Sequence, residues 1–257
     1  MIYFKYVKMI MGTFMQYRLN MLLVITGQFF NTFFAFTGMY LLFDRFGTLD
    51  GYTLGEAALC FAIVTAAFSI TECFARGFDM FSGLVKSGDF DRIMLRPRST
   101  ILQILGSNVE FTRVGRLIVS VAVLVYASSL LDIAWSAFHI ITVVLMVISG
   151  AFIFAGIFIL GATVCFWTVD GLEFINIFTD GGRDIAQYPL TIYNKWFTRF
   201  FTFIIPLGCF NYLPLLYLTG RASNPLYALT PLLGILFIIP CVAIWNLGVR
   251  RYLSTGS

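Results

Sequence analysis

The run IAWSAFHIITVVLMVISGAFIFAGIFILGATVCFWTV, residues 133–169, holds 37 positions without a single Asp, Glu, Lys or Arg. A helix crosses the roughly 30 Å hydrocarbon layer of a bilayer in about 20 residues. The run is too long for one crossing and too short for two with a turn. It therefore predicts one long helix that protrudes or bends, with Gly150, Gly156 and Gly161 as candidate soft points. The rest of the chain agrees with a membrane setting. Its 257 residues are 59% hydrophobic and 12% charged, about half the charged share of a soluble domain. Disorder, a collagen-like fibre and a disulfide scaffold are excluded, and the expected fold is an all-α integral membrane protein with a single domain over 1–257.

Other uncharged runs supply the remaining spans. Residues 19–43 give span one. Residues 54–75 give span two, with Glu56 and Glu72 at its two interfaces. Residues 114–131 give span three, with Arg113 and Arg116 expected to snorkel to the headgroups. Span four is 133–169, joined to span three by a tight turn at Asp132. Span five is 200–220, interrupted by Pro206 and Pro214, and span six is 226–249. Ahead of them, residues 3–18 place Lys5, Lys8, Gly12 and Gln16 on one helical face and apolar side chains elsewhere, the pattern of a helix lying in the interface. No cleavable signal peptide is expected there.

Of the seventeen Lys and Arg residues, fifteen fall on one side of this plan, and only Arg45 and Arg221 on the other. The positive-inside rule then puts both termini in the cytoplasm and requires an even number of spans. The net charge of +4 is explained by that asymmetry, so no nucleic-acid partner is expected. Trp135, Trp167, Trp196 and Trp245 fall near span ends, where interfacial anchoring is the expected role. The five cysteines have no Cys-x-x-Cys spacing and read as small buried hydrophobes. His139, the one histidine, has no carboxylate partner in its own helix. No catalytic, metal or cofactor cluster is apparent.

Two stretches carry functional possibilities. In span one, Gln28, Asn31 and Thr32 share about 100° of one helical face, continued by Ala35. They suit the lining of a polar path between protomers, or equally interhelical hydrogen bonding. In the loop between spans two and three, Phe90, Ile93 and Met94 recur at helical spacing while Asp89, Arg92 and Arg96 share another face. Pro97 ends that helix near Leu95. Such a short amphipathic helix fits a groove on a soluble partner or packs on headgroups, and periodicity does not choose.

The segment Gly88-Asp89-Phe90-Asp91-Arg92-Ile93-Met94-Leu95-Arg96-Pro97 resembles the G-x-F-D-x-x-L-x-R-P signature of one branch of the type-2 ATP-binding-cassette (ABC-2) exporter permeases. The run from Tyr188-Pro189-Leu190-Thr191-Ile192-Tyr193 through Trp196, Arg199, Phe201, Thr202, Pro206, Asn211, Tyr212 and Pro214 is similar to a second motif of that branch. The ending Arg251-Tyr252-Leu253-Ser254-Thr255-Gly256-Ser257 is similar to a third. The resemblance covers nearly the whole chain. It implies a six-span, multi-pass permease subunit of a prokaryotic cytoplasmic membrane, pairing with itself or with a second permease. A cytoplasmic coupling helix, with Phe90, Asp91, Arg92, Ile93, Met94, Leu95, Arg96 and Pro97 meeting a separate nucleotide-binding ATPase subunit, is implied too. So is broken or re-entrant structure near the outer end of span five, which adds Pro206 and Asn211 to Gln28, Asn31 and Thr32 as possible path residues.

The sequence holds no G-x-x-x-x-G-K-[ST] loop. ATP and Mg are therefore expected on the partner chain, and this subunit is expected to be non-catalytic. Twenty-nine phenylalanines suit a hydrophobic or amphipathic cargo, or merely lipid contact. The competing readings are an ATP-independent membrane protein, either a small secondary carrier or an assembly factor, and an integral-membrane enzyme. A carrier is expected to place ionisable groups mid-span or to show an inverted repeat.

Overall fold

The computed structural model describes residues 2–131, 133–168 and 172–252. Asp132, the expected turn residue, Val169 at the end of the long run, and residues 253–257 of the C-terminal motif lie outside them. Helix α1 (Ile2–Gln16) is separated from α2 (Arg18–Phe46) by a break at Tyr17, whose φ of −110° and ψ of 52° are not helical. The Tyr3 hydroxyl donates to the Phe74 carbonyl at 3.3 Å.

Helix α3 (Leu54–Asp79) is the centre of the molecule, buried along most of its length. Its start is fixed by the Glu56 carboxylate, which accepts from the Thr53 backbone N–H at 2.8 Å in a capping box. Helices α7 (Val114–Leu130) and α8 (Ala137–Val164) pack along it. Two glycines set how closely neighbours approach. A Cβ on Gly115 of α7 would collide with the Ile25 carbonyl of α2, and one on Gly150 of α8 would meet Ala67 at 2.7 Å and Phe210. Gly150, Gly156 and Gly161 thus let Phe210, Phe237 and Ile175 close in on α8, and the helix continues through all three. The expected soft points are packing sites.

Helix α8 is also shorter than the uncharged run containing it. Ser136 halts it by capping: its Oγ accepts from the His139 backbone N–H and lies 2.8 Å from His139 Nδ1. This accounts for the lone histidine, whose ring also stacks on Tyr217.

Short helices α4 (Phe81–Lys86), α5 (Asp89–Met94) and α6 (Thr100–Leu105) lie between α3 and α7. After α8 come α9 (Leu172–Ala186), α10 (Lys195–Phe203), a π-helical turn Gly208–Tyr212, α11 (Leu213–Leu218), α12 (Pro231–Leu236) and α13 (Ile238–Arg251). Five helical stretches are long and apolar enough to cross a membrane: Arg18–Phe46, Leu54–Lys86, Phe111–Leu130, Ala137–Val164 and Pro225–Arg251. Lys195–Phe203 and Gly208–Leu218 form a pair bent by 91°, a broken sixth span or a re-entrant loop. The expected break in span five is therefore present, with Pro206 in the gap at 204–207. The protein is an all-α, multi-pass membrane protein.

Two placements depart from the sequence reading. Trp245 is no interfacial anchor. It is fully buried, donates from Nε1 to Thr100 Oγ1 at 3.2 Å, and packs against Phe78, Phe81 and Phe166 at 5.0–5.3 Å. Arg183, counted among the basic residues of a peripheral segment, lies on α9, which packs against α8 and α3. Its guanidinium sits 5.0 Å over the ring of Phe68, near the middle of α3. The 15 residues of α9 extend about 22 Å, short of a full crossing, and Asp180, Arg183 and Asp184 lower its hydropathy.

Candidate functional site

Two regions bring polar chemistry together, and the first is the 88–97 segment. Gly88 takes a left-handed φ of 71°, open to glycine at little cost, and this reverses the chain into α5. One turn in, Phe90 is completely buried, with ring centroids 4.9 Å from Phe81, 5.0 Å from Tyr252, 5.5 Å from Phe166 and 6.3 Å from Trp245. All but the tilted Phe166 pair are edge-to-face, each contributing about 0.5–1.5 kcal/mol beyond area burial, so α5 is pinned to α4 and α13. Gln103 holds the far side, donating from Nε2 to the carbonyls of Ile93 and Arg98 at 3.2 and 3.3 Å.

Phe90 and Met94, expected to form one contact face, thus divide their roles. Phe90 points inward as the anchor. Met94 is exposed along with Arg92, Arg96, Pro97 and above all Leu95, at 85%. Asp91 and Ile93 are half-buried. The helix ends at Met94, close to the expected stop before Pro97.

The second region is a cleft of about 390 Å³ between α2, α3, α7 and α9. Its walls include Asn31 and Thr32 of α2, Thr65 and Ser69 of α3, Arg116 of α7, and Arg183, Asp184 and Gln187 at the end of α9. Of the polar stripe of the first span, Thr32 is buried and Gln28 half-buried, while Asn31 lines the cleft and stays exposed. Thr32 spends its hydroxyl on the Gln28 carbonyl at 2.9 Å. Gln28 meets the cleft through Arg116, whose Nε donates to Gln28 Oε1 at 2.6 Å.

Arg116 also joins an ionic network at the floor of the cleft. Glu72 of α3 accepts from Arg116 at 2.5 Å and pairs with Arg113 and Arg76, each at 3.2 Å. Arg76 reaches Asp79 at 2.7 Å and Glu110 at 3.4 Å, and Arg113 reaches Glu110 at 2.9 Å. Three arginines thus share three carboxylates, with the side chains of Arg113 and Arg116 only 8% and 13% exposed. The expectation that these two snorkel to headgroups is corrected. A buried carboxylate facing them offers a stronger, less solvated partner than lipid phosphate at the surface. Beside them Arg183 pairs with Asp180 at 3.1 Å and Asp184 at 2.8 Å. Within the buried network three cations meet three anions, which lets ionised groups sit in an apolar bundle, while Asp180 and Asp184 stay exposed.

Pro206 and Asn211 lie apart from this cleft. Asn211 is buried and donates from Nδ2 to the carbonyl of Ala186 at 2.6 Å, tying the end of α9 to the bent pair. At the opposite end of α3 from the network, Arg221 closes on Glu56 at 2.5 and 2.9 Å and on the Gly51 carbonyl at 2.6 Å, with its guanidinium 4.3 Å over Tyr52. Hydrogen bonding to Glu56 pushes the Arg221 pKa up, outweighing its partial burial. Sequence reading missed the network and this clamp because the pairs that join separate helices, Glu72 with Arg113 and Arg116 and Glu56 with Arg221, are distant in the chain. The local signals were the helix-spaced pairs of Arg76 with Glu72 and Asp79 and of Arg113 with Glu110, and a Glu inside each end of span two.

Among the described residues no group of three or more His, Cys, Asp or Glu could hold a metal ion. The arrangement is a polar, ion-paired cleft among α2, α3, α7 and α9, and a short helix held by a buried aromatic ring. No curated protein and no solved structure matches the chain. The family model described as ABC-2 family transporter protein matches residues 29–256, a stretch that takes in both the cleft and the anchored 88–97 segment, and the chain belongs to that family.

Proposed function

We propose that this chain is the permease subunit of an ATP-driven exporter and that it takes its force from a separate ATPase subunit through residues 88–97. The observation that carries the reading is the anchoring of α5. Phe90 locks it into an aromatic cluster shared with Trp245, while Arg92, Met94, Leu95, Arg96 and Pro97 face outward. A helix fixed on one side and bare on the other transmits a push without deforming. ATP and Mg belong to the partner, since this sequence has no phosphate-cradling loop.

The cleft lined by Asn31, Thr32, Arg116 and Arg183 is the part of this chain that would border the path of a hydrophobic or amphipathic cargo. A second permease chain completes the path on the side of α2, which is nearly bare of internal packing. The 88–97 segment and both termini are cytoplasmic in this reading, and the host bilayer is a prokaryotic cytoplasmic membrane.

Purification in mild detergent tests the reading directly. A P-loop protein is expected to accompany the chain in stoichiometric amount. Leu95→Asp with Met94→Asp is expected to detach it while leaving Phe90 buried and membrane insertion intact. A chain that purifies alone under all such conditions, or an ATPase that stays bound and cargo-stimulated in the double variant, overturns the proposal.

A further inference from the structure

Between α1 and the segment that follows α5 lies an open groove of about 720 Å³ lined by Lys5, Tyr6, Met9, Arg96, Arg98 and Gln103. Three of the six are cations. Lys5, Arg96 and Arg98 are exposed and make no ion pair among the described residues, whereas Arg76, Arg113, Arg116, Arg183 and Arg221 are all paired. The walls are preformed. Gln103 is buried and grips the Ile93 and Arg98 carbonyls, fixing the loop that carries both arginines. On the other wall Tyr6 packs on the Gly106 end of α6 and Tyr3 bonds to Phe74, fixing α1. Met9, one turn after Lys5 on the same side of α1, is the apolar part of that wall and is 64% exposed.

Cations converging beside the exposed Met9 and the ring of Tyr6 match a molecule that is anionic at one end and greasy at the other. We propose that this groove binds the phosphate of an anionic phospholipid, whose acyl chains leave the groove past Met9. The bound headgroup bridges α1 to the segment bearing Arg96 and Arg98 and fixes the height of α5 relative to the bilayer. That last consequence for force transfer rests on the function proposed above, but the binding itself does not.

The test uses the full chain without any ATPase. It is reconstituted in nanodiscs of equal phosphatidylglycerol and phosphatidylcholine, and retained lipid is counted by native mass spectrometry. Phosphatidylglycerol is expected to be retained over phosphatidylcholine. Lys5→Gln with Arg98→Gln is expected to cut that retention by roughly fivefold per cation removed. Lys5→Arg with Arg98→Lys is expected to keep it, and Arg45→Gln, at the other end of α2, to leave it unchanged, each variant being checked for an unaltered melting temperature. Equal retention of both lipids, or no change in the Gln variant, overturns the proposal. So does displacement of the lipid by millimolar inorganic phosphate, which assigns the groove to a free anion. Occupancy appearing only when an ATPase subunit is added, with no lipid held by the chain alone, gives the groove to that protein and overturns the lipid assignment as well. None of these outcomes decides whether an ATPase co-purifies, so the two proposals fail separately.

Discussion

Arg221 reaches Glu56 across 165 positions of sequence and closes two charge-assisted hydrogen bonds on it, at 2.5 and 2.9 Å. The same carboxylate caps its own helix through Thr53, so one Glu fixes both the first turn of α3 and the loop that follows α11. Hydrogen bonds to charged groups contribute about 1.5–3 kcal/mol each. With the Arg221 side chain 36% exposed, solvent screening reduces the clamp to about 1 kcal/mol. Arg221→Gln is expected to lower thermal stability in detergent by that amount.

The clamp also carries a pH signature. A cation whose folded pKa is raised contributes stability that is fully present below its unfolded pKa and is lost only as pH rises through the folded one. Arg221 is raised by Glu56 from an already high value. The melting-temperature difference between the native chain and Arg221→Gln is therefore expected to stay constant from about pH 7 to about pH 10. A difference that fades across this range removes the ion pair as its cause.

Glu72 is the more costly site. Its removal leaves Arg116 with only the neutral Gln28, and takes one of two acidic partners from Arg113. Breaking a buried pair by deleting one partner costs about 3–5 kcal/mol, so Glu72→Gln is expected to abolish a cooperative melt or lower its midpoint sharply. Glu72→Leu with Arg116→Leu is expected to be milder than the sum of the single changes, because each then leaves no orphaned charge. A double-mutant cycle on thermal unfolding measures this.

Glycine substitutions separate close approach from mere helix content. A Cβ on Gly77 would collide with the Ile104 carbonyl and one on Gly115 with the Ile25 carbonyl, while Gly83 has nothing within 4 Å. Gly77→Ala and Gly115→Ala are each expected to destabilise by about 1–3 kcal/mol through overpacking. Gly83→Ala, inside α4, is expected to stabilise by about 0.5–1 kcal/mol. Melting curves of the three variants check the contrast.

Phe90→Ala opens a void in the aromatic cluster, at a cost of about 3–5 kcal/mol. The ring sits at the end of the bundle proposed as cytoplasmic, among Phe81, Phe166, Trp245 and Tyr252, so the expected result is confined to the 88–97 segment and those neighbours. Hydrogen exchange is predicted to accelerate over residues 87–99 while α7 and α8 keep their protection. Uniform acceleration across the chain contradicts the anchoring role.

Long uncharged runs are legible because hydropathy is a local property, and the helices of α2, α7 and α8 follow from it. The stripe of Gln28, Asn31 and Thr32 is legible for a similar reason, since helical geometry alone puts the three on one face. What the stripe meets is not legible. Arg116 lies 88 residues from Gln28, and an arginine at a span end reads equally well as a headgroup ligand. Trp245 is ambiguous in the same way, because an indole is at home both in the interface and in a core that offers its N–H an acceptor, here Thr100. Helix α9 hides for a different reason. Asp180, Arg183 and Asp184 lower its hydropathy, and only the folded bundle shows the two ion pairs that let it pack inside.

Because α3 is walled by α7 and α8 along its flanks, it cannot flex independently of them. Its 26 residues form a shaft about 39 Å long, with the 88–97 handle near one end and Arg221 gripping the other. On the function proposed above, a displacement imposed at residues 88–97 would arrive at the Glu56 end as bulk movement of the shaft, where the Arg221 grip and the bent pair beside it must yield or travel with it.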